Sequence, residues 1–229
     1  MTINASLDGM PMSVVDTLYS TIKDEILRGD HTPGTAMRQH DIAARFGVSR
    51  VPLREAFSRL EAVGLLTLRP RRGYAVPAFN ADEIREIFDL RAVVEEHAGR
   101  LASQARTATD IDAVRSLADR MAAIDLSAPD TYDQWCLLNH EFHLRIIEAS
   151  RRQHVIKFAQ QLRDIVEPYI RLELSISDDN KEADSEHAQI AGAFANGDAK
   201  LVGTLSAQHC FHTRDRLISA LQARENASG

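Results

Sequence analysis

The sequence predicts a mainly α fold in two parts: a winged helix-turn-helix over residues 1–78 and an all-α helical bundle over 79–229. Three observations carry this. Short helical segments separated by glycine-containing turns run to about residue 64, and an alternating, Arg-loaded segment, LLTLRPRRGYAV, follows them. From Asn80 onward glycines become rare, strand signals vanish and 3.6-residue apolar periodicity runs to the end.

The elements follow in order. Residues 14–28 place Val15, Leu18, Ile22 and Ile26 on one face, with Ser13 as N-cap and Gly29 as stop. HTPG is a turn. A short helix over Gln39–Phe46 is closed by Gly47, and Ser49 caps a second over Arg50–Ala62 that Gly64 ends. Two helices joined by a tight glycine turn outline a helix-turn-helix. The next segment suits a β-hairpin with its tip at Pro70–Gly73. Beyond a boundary near Pro77–Asn80, helices are expected at about 81–105, 110–125, 130–149, 152–175, 182–196 and 198–223. Their start signals are Asn80, Thr109, Pro129 and the Asn196-Gly197-Asp198 turn, and Pro168 should kink the fourth.

Composition narrows the class. With 44% hydrophobic and 26% charged residues, the chain reads as an ordinary globular protein. No apolar run approaches the ~18 residues of a membrane span. MTINASLDGMPMS does not read as a secretory signal, and Cys136 and Cys210 form neither a CxxC nor a disulfide framework. A cytoplasmic location and no membrane partner are expected. The net charge of −6 is unevenly spread: residues 1–78 hold ten Lys/Arg against eight Asp/Glu, and residues 38–72 hold eight Arg against three acids. Phosphate affinity depends on where positive charge sits, so this is a small basic head on an acidic body.

The chemistry of the head lies in SRVPLREAFSRLEAVGLL. Arg50, Val51 and Arg54 occupy the first turns of the second helix, where a helix in the major groove presents side chains to base edges. Arg suits bidentate bonding to guanine. Leu53, Ala56, Phe57 and Leu60 face the core, and the basic hairpin tip can track a phosphate backbone or a minor groove. The stretch ILRGDHTPGTAMRQHDIAARFGVSRVPLREAFSRLEAVGLLTLRPRRGYAV resembles the GntR-type winged helix across nearly all of residues 14–77. The resemblance implies that Arg50 and Arg54 read bases or phosphates and that Arg38 and His40 lie near phosphates. Ser49 and Val51 belong to the same contact face, and Arg71, Arg72 and Gly73 would form the wing tip. Ala36-Met37 departs from the Leu-Ser or Leu-Pro more usual there.

The body carries polar groups in apolar arcs. Between 131 and 149, Tyr132, Trp135, Cys136, Phe142, Ile146 and Ile147 share an arc centred on Asn139 and His143, which are i, i+4. His187 sits among Ala183, Ile190, Ala191 and Phe194, and His209 among Val202, Leu205 and Ala220. His187 lies 10 residues before Gly197 and His209 12 after it, an axial offset of about 3 Å in an antiparallel hairpin. A lone core His usually bonds a carbonyl, but four converging polar groups favour a divalent metal, Zn, Ni or Mn. His212, one turn from His209, can stand in for it. His140-Glu141-Phe142-His143 is not H-E-x-x-H, because Leu144 occupies the required position. Arg91 also falls mid-arc, with Glu95 one turn on: either an internal pair, or a guanidinium awaiting a carboxylate.

These features resemble the FCD effector domain of FadR-like GntR regulators, over about residues 80–223. The resemblance implies a metal held by Asn139, His143, His187 and His209, and a small organic acid bound there with help from Arg91 and Glu95. Asn139 stands where the family usually carries Asp; its amide oxygen is a neutral, weaker ligand. Some relatives lack metal and bind acyl ligands. The resulting expectation is a homodimeric, effector-controlled repressor of a pseudo-palindromic operator in double-stranded DNA. The competing readings are a metal-dependent hydrolase and a metal sensor, each fused to a DNA-binding head.

Overall fold

Twelve elements follow one another over the described residues 13–126, 131–177 and 180–228 of the computed structural model. They divide into two units, Met1–Pro77 and Ala78–Gly229.

In the first unit, α1 (Val14–Leu27) starts at Ser13, whose hydroxyl accepts the Asp16 N–H. Helix α2 (Gln39–Phe46) ends at Gly47, whose left-handed φ of +64° lets its N–H return to the Ala43 and Ala44 carbonyls. Helix α3 (Arg50–Ala62) follows after three residues, Gly47, Val48 and Ser49. Ser49 is at the N-cap position, but its hydroxyl makes no capping bond. Strands β1 (Ala36–Met37), β2 (Thr67–Arg69) and β3 (Gly73–Ala75) form an antiparallel sheet in the order β1-β3-β2. Leu18, Ile22, Ile26, Leu53, Phe57, Leu60 and Leu65 make the core. An edge-on contact of Phe57 with Tyr74, ring centroids 5.1 Å apart, fastens α3 to the wing.

The second unit is all helical: α4 (Ala81–Ala105), α5 (Ala108–Ala122), α6 (Thr131–Ala149), α7 (Gln153–Ser177), α8 (Lys181–Asn196) and α9 (Ala199–Ser228). Asn80 opens α4 with a capping box to Glu83. Helix α5 begins one turn-signal earlier than expected: its cap is Thr107, not Thr109. The Thr107 N–H donates to Asp110 at 2.8 Å, and the Asp110 N–H returns to the Thr107 hydroxyl at 3.3 Å. The proposed Pro129 signal lies outside the described residues. Helix α7 continues through Pro168, which cannot donate to the Asp164 carbonyl. Gly197, at φ +78°, reverses the chain between α8 and α9.

Helices α4 and α9 approach closely at two glycines. A Cβ on Gly203 would stand 2.9 Å from the Glu96 carbonyl oxygen, and one on Gly99 would stand 3.0 Å from Val202 Cγ1. Gly203→Ala should therefore destabilise the helical unit. The intrinsic helix gain of about 1 kcal/mol is outweighed by an overpacking cost of about 1–3 kcal/mol. A fall in thermal unfolding temperature is expected; a rise would show that α4 and α9 are not locked at this point.

Candidate nucleic-acid interface and candidate metal centre

In the winged unit, Arg50, Val51 and Arg54 all point to solvent from the first two turns of α3, while Leu53, Ala56, Phe57 and Leu60 are buried behind them. Val51 is 76% exposed, an apolar side chain with no core to join. Arg38, Ser49, Arg71 and Arg72 are exposed as well. Arg45 and Arg59, in contrast, are held by Glu25 and Asp16 at 2.7 Å each. Arg38, Arg50, Arg54, Arg71 and Arg72 form no ion pair among the described residues. His40 bonds only its neighbour Asp41, at 3.3 Å. The wing turns at Pro70-Arg71, where the Arg72 N–H returns to the Arg69 carbonyl and Arg71 adopts φ +62°. A left-handed non-glycine residue costs about 1 kcal/mol, so Arg71 is placed at the tip against its backbone preference. Gly73, at φ +81°, begins β3 just after the tip.

The helical unit has the opposite character: its notable charges are buried. Arg91 on α4 and Arg163 on α7 are each 1% exposed, and Glu95, 4% exposed, lies between them. Arg91 Nε donates to Glu95 Oε1 at 2.9 Å and its Nη2 stands 2.8 Å from the same oxygen; Arg163 Nη1 donates to Oε1 and Oε2 at 3.3 and 3.4 Å. Burial opposes the charge on Glu95, but Arg91 and then Arg163 outweigh it and hold the carboxyl below its ordinary range. Two cations thus share one carboxylate, and among the described residues Arg91 Nη1 and Arg163 Nε have no hydrogen-bond partner although both are buried. Of the two readings of Arg91 offered by the sequence, the internal pair with Glu95 is the one present, and Nη1 is left over as a donor among the described residues.

Beside them, His143, His187 and His209 each bring a ring nitrogen to within 4.8 Å of the others. His143 Nε2 and His187 Nε2 face each other at 3.2 Å. Burial pushes His143 and His187 well below the usual imidazole range and His209 down to about 3, with nearby guanidinium groups adding to the effect. The three rings are therefore neutral and offer lone pairs. The donor set fits a divalent cation: two nitrogens about 2.0–2.1 Å from a tetrahedral ion stand about 3.3 Å apart. Asn139, one turn before His143, contributes a buried Oδ1 with no hydrogen-bond partner, a donor of the right kind left over. It lines a cavity of about 20 Å³, room for a single water or ion. Arg91, Arg163, Glu173, His209, Thr213 and Arg216 line it too.

His212 does not stand in for His209; it is 52% exposed and reaches Glu186 instead. Glu141 pairs with Arg145 on the outer side of α6. Both cysteines are buried thiols, Cys210 raised to about 12. Arg163 was not anticipated, although Ala159, Val166 and Ile170 at i−4, i+3 and i+7 place it mid-arc by the same spacing that exposed Arg91. Glu186, which the sequence offers beside His187 only as a candidate general base of the hydrolase reading, bonds His209 and His212 instead, a role hidden because it flanks its helix's apolar arc.

A winged helix with an unpaired cationic face, joined to a helical unit with buried polar donors around a cavity, defines a two-part winged-helix regulator. The chain belongs to the GntR family of bacterial regulatory proteins, in the FadR-like branch that carries an FCD domain. The gntR family model matches residues 15–76 and the FCD domain model residues 86–212. The chain is 31% identical to the Nta operon transcriptional regulator of Aminobacter aminovorans over 132 residues, spanning 58% of this chain and 61% of that one. It is 30% identical to the HTH-type transcriptional repressor GlaR of Escherichia coli strain K12 over 172 residues, 74% of this chain and 73% of that one. Among solved structures, E. coli McbR/YncC shares the fold with a TM-score of 0.79 at 21% identity, covering 91% of this chain and 99% of that chain. A GntR family member from Pseudomonas syringae pv. tomato str. DC3000 gives 0.57 at 24%, covering 96% and 93%.

Removing Glu95 should leave two buried cations unneutralised. Glu95→Ala is expected to cost about 3–5 kcal/mol, lowering the unfolding temperature of the helical unit by roughly 6–20 °C. Adding Arg163→Met should recover part of that loss. An unchanged melting curve in Glu95→Ala would show that the Arg–Glu–Arg cluster is not held as described.

Proposed function

We propose that this chain is a homodimeric transcription repressor whose operator binding is controlled by a small organic acid at a metal-containing pocket of the helical unit. The observation that carries the reading is the contrast between the two units. In the winged unit the cations are exposed and unpaired; in the helical unit they are buried around a cavity with donors to spare. Exposed unpaired arginines suit a polyanion, and buried ones suit a single carboxylate.

On this reading Arg50, Val51 and Arg54 contact base edges from α3, with the exposed valine suited to a thymine methyl group. Ser49, Arg38 and His40 approach phosphates, and Arg71, Arg72 and Gly73 carry the wing along the groove. Asn139, His143, His187 and His209 hold a divalent ion, Zn, Ni or Mn. That ion would supply a fixed positive charge to which an acid can bind once the cavity, sized for one water or ion, widens to admit it. Arg91 and Arg163 orient the carboxylate through Nη1 and Nε, while Glu95 keeps both guanidinium groups in place. The acid weakens operator binding only by favouring one arrangement of the molecule over another.

The homodimer is supported by the outer face of α4 and α7. There Leu90, Val93 and Phe158 are exposed around a groove of about 540 Å³ that Val94, Val155 and Leu162 also line. Exposed apolar surface of this kind marks an association site, and a second copy is the occupant that a two-fold operator requires.

Arg54→Ala should weaken binding to duplexes selected from a random-sequence pool by roughly 10- to 100-fold, about 1–3 kcal/mol. Arg71→Ala should lower the salt slope by about 1 while weakening all sequences alike. Undiminished binding by Arg54→Ala would overturn the assignment of α3. Small carboxylic acids added to the metal-loaded protein should raise its unfolding temperature and release DNA, and Arg91→Ala should abolish both effects. Turnover of the acid would overturn the regulator reading. Val93→Glu with Phe158→Glu should convert a dimer into a monomer in analytical ultracentrifugation; a monomeric wild type would overturn the dimer.

A further inference from the structure

We propose that Glu186 is the positioning residue of the metal site, gripping His209 and His212 by their Nδ1 atoms and thereby presenting His209 Nε2 to the ion. This rests on the reading of His143, His187 and His209 as metal ligands.

The geometry is specific. Glu186 Oε2 accepts from His209 Nδ1 at 2.6 Å, and Oε1 from His212 Nδ1 at 2.5 Å. A carboxylate offers no proton, so a neutral imidazole bonded to it through Nδ1 carries its own proton there. The lone pair is then on Nε2, the form a metal needs. A carboxylate on the far nitrogen also fixes the ring's rotation and raises its basicity. His187 lacks such an anchor: its Nδ1 is buried with no hydrogen-bond partner. Sequence supplies the economy of the arrangement, because Glu186 and His187 are adjacent on α8. One turn of that helix offers one ligand directly and secures another from α9.

Glu186 is itself held. Its two oxygens are divided between the two rings, and Arg216 Nη2 stands 3.8 Å from Oε2 while its Nη1 reaches Glu182 at 3.4 Å. Arg216 also lines the small cavity. The half-exposed His212 is thus one carboxylate away from a buried ligand. Glu182, Glu186 and His212 also lie close enough together to hold an ion of their own. Both Glu186 oxygens are already committed to ring nitrogens, so a single ion at the buried triad is expected.

Competition with a chromophoric chelator for zinc and nickel, on the full chain, tests this. Glu186→Gln should lower metal affinity roughly 10- to 100-fold, with His212→Ala a smaller loss in the same direction and Glu186→Asp a partial recovery. In a His209→Ala background, Glu186→Gln should change affinity by less than about twofold, because its effect travels through that ring. The visible absorption bands of the cobalt(II)-loaded protein should shift in Glu186→Gln, which a purely structural role would not produce. A wild type that binds none of these ions overturns both this proposal and the metal reading. Tight wild-type binding matched by Glu186→Gln, equal losses in both backgrounds, or a stoichiometry of two ions falling to one overturns this proposal alone.

Discussion

The Glu95 carboxylate between Arg91 and Arg163 is the interaction on which the helical unit depends. Taking three charges out of water costs several kcal/mol each, and only close mutual pairing offsets it. The hydrogen bonds run from α4 to α4 and from α7 to α4, so the cluster fixes how these two helices face each other. A hydrophobic core of similar volume would tolerate small slips between helices, whereas a buried carboxylate with two guanidinium partners does not. Close packing of α4 on α9 at Gly99 and Gly203 fixes the third side. His209 rides on α9 only a few residues from Ser206, which meets Gly99. The position of the imidazole cluster is therefore set by packing outside it.

The winged unit solves a different problem, that of holding cations away from carboxylates. Glu25 and Asp16 are paired with Arg45 and Arg59, and Arg50, Arg54, Arg71 and Arg72 form no ion pair among the described residues. The cost is a left-handed Arg71 and an α3 whose N-cap hydroxyl makes no capping bond. Local strain and unsatisfied groups of this kind persist where a ligand is to complete them. The Phe57–Tyr74 contact ties the helix to the wing, so the exposed arginines of both are held in fixed register with one another.

Much of this was legible in the sequence where the signal was local. The cap at Ser13, the stop at Gly47, the α3 face and the hairpin tip each depend on a few neighbouring residues, and each lies where the pattern places it. Asn139, His143, His187, His209 and Arg91 were visible because a polar group centred on an apolar arc has nowhere to go but inward. Thr107 and Thr109 could not be separated locally, since each has an Asp three residues on and both match a capping box. Packing of Val114, Leu117 and Met121 decides between them. His209 and His212 are one turn apart, and only the rotation of α9 against α4 and α8 chooses the buried one. The contacts of Glu186 were illegible for a deeper reason: they are made with rings 23 and 26 residues away across the α8–α9 turn, and its own helix marks it as a flanking, half-wet position.

Asn139 acquires its meaning from charge balance. With neutral imidazoles and a neutral amide, the proposed ligand set contributes no negative charge, and Glu95 is already shared by two guanidinium groups. An Asp at this position would bind the ion more tightly but would also cancel part of its charge. The amide trades ion affinity for a more positive pocket, and every added unit of positive potential favours an incoming carboxylate over water. On the proposed ligand set, the amide that would weaken the site as a metal store would strengthen it as an acid receptor. A site built to sense the ion itself would need the opposite choice.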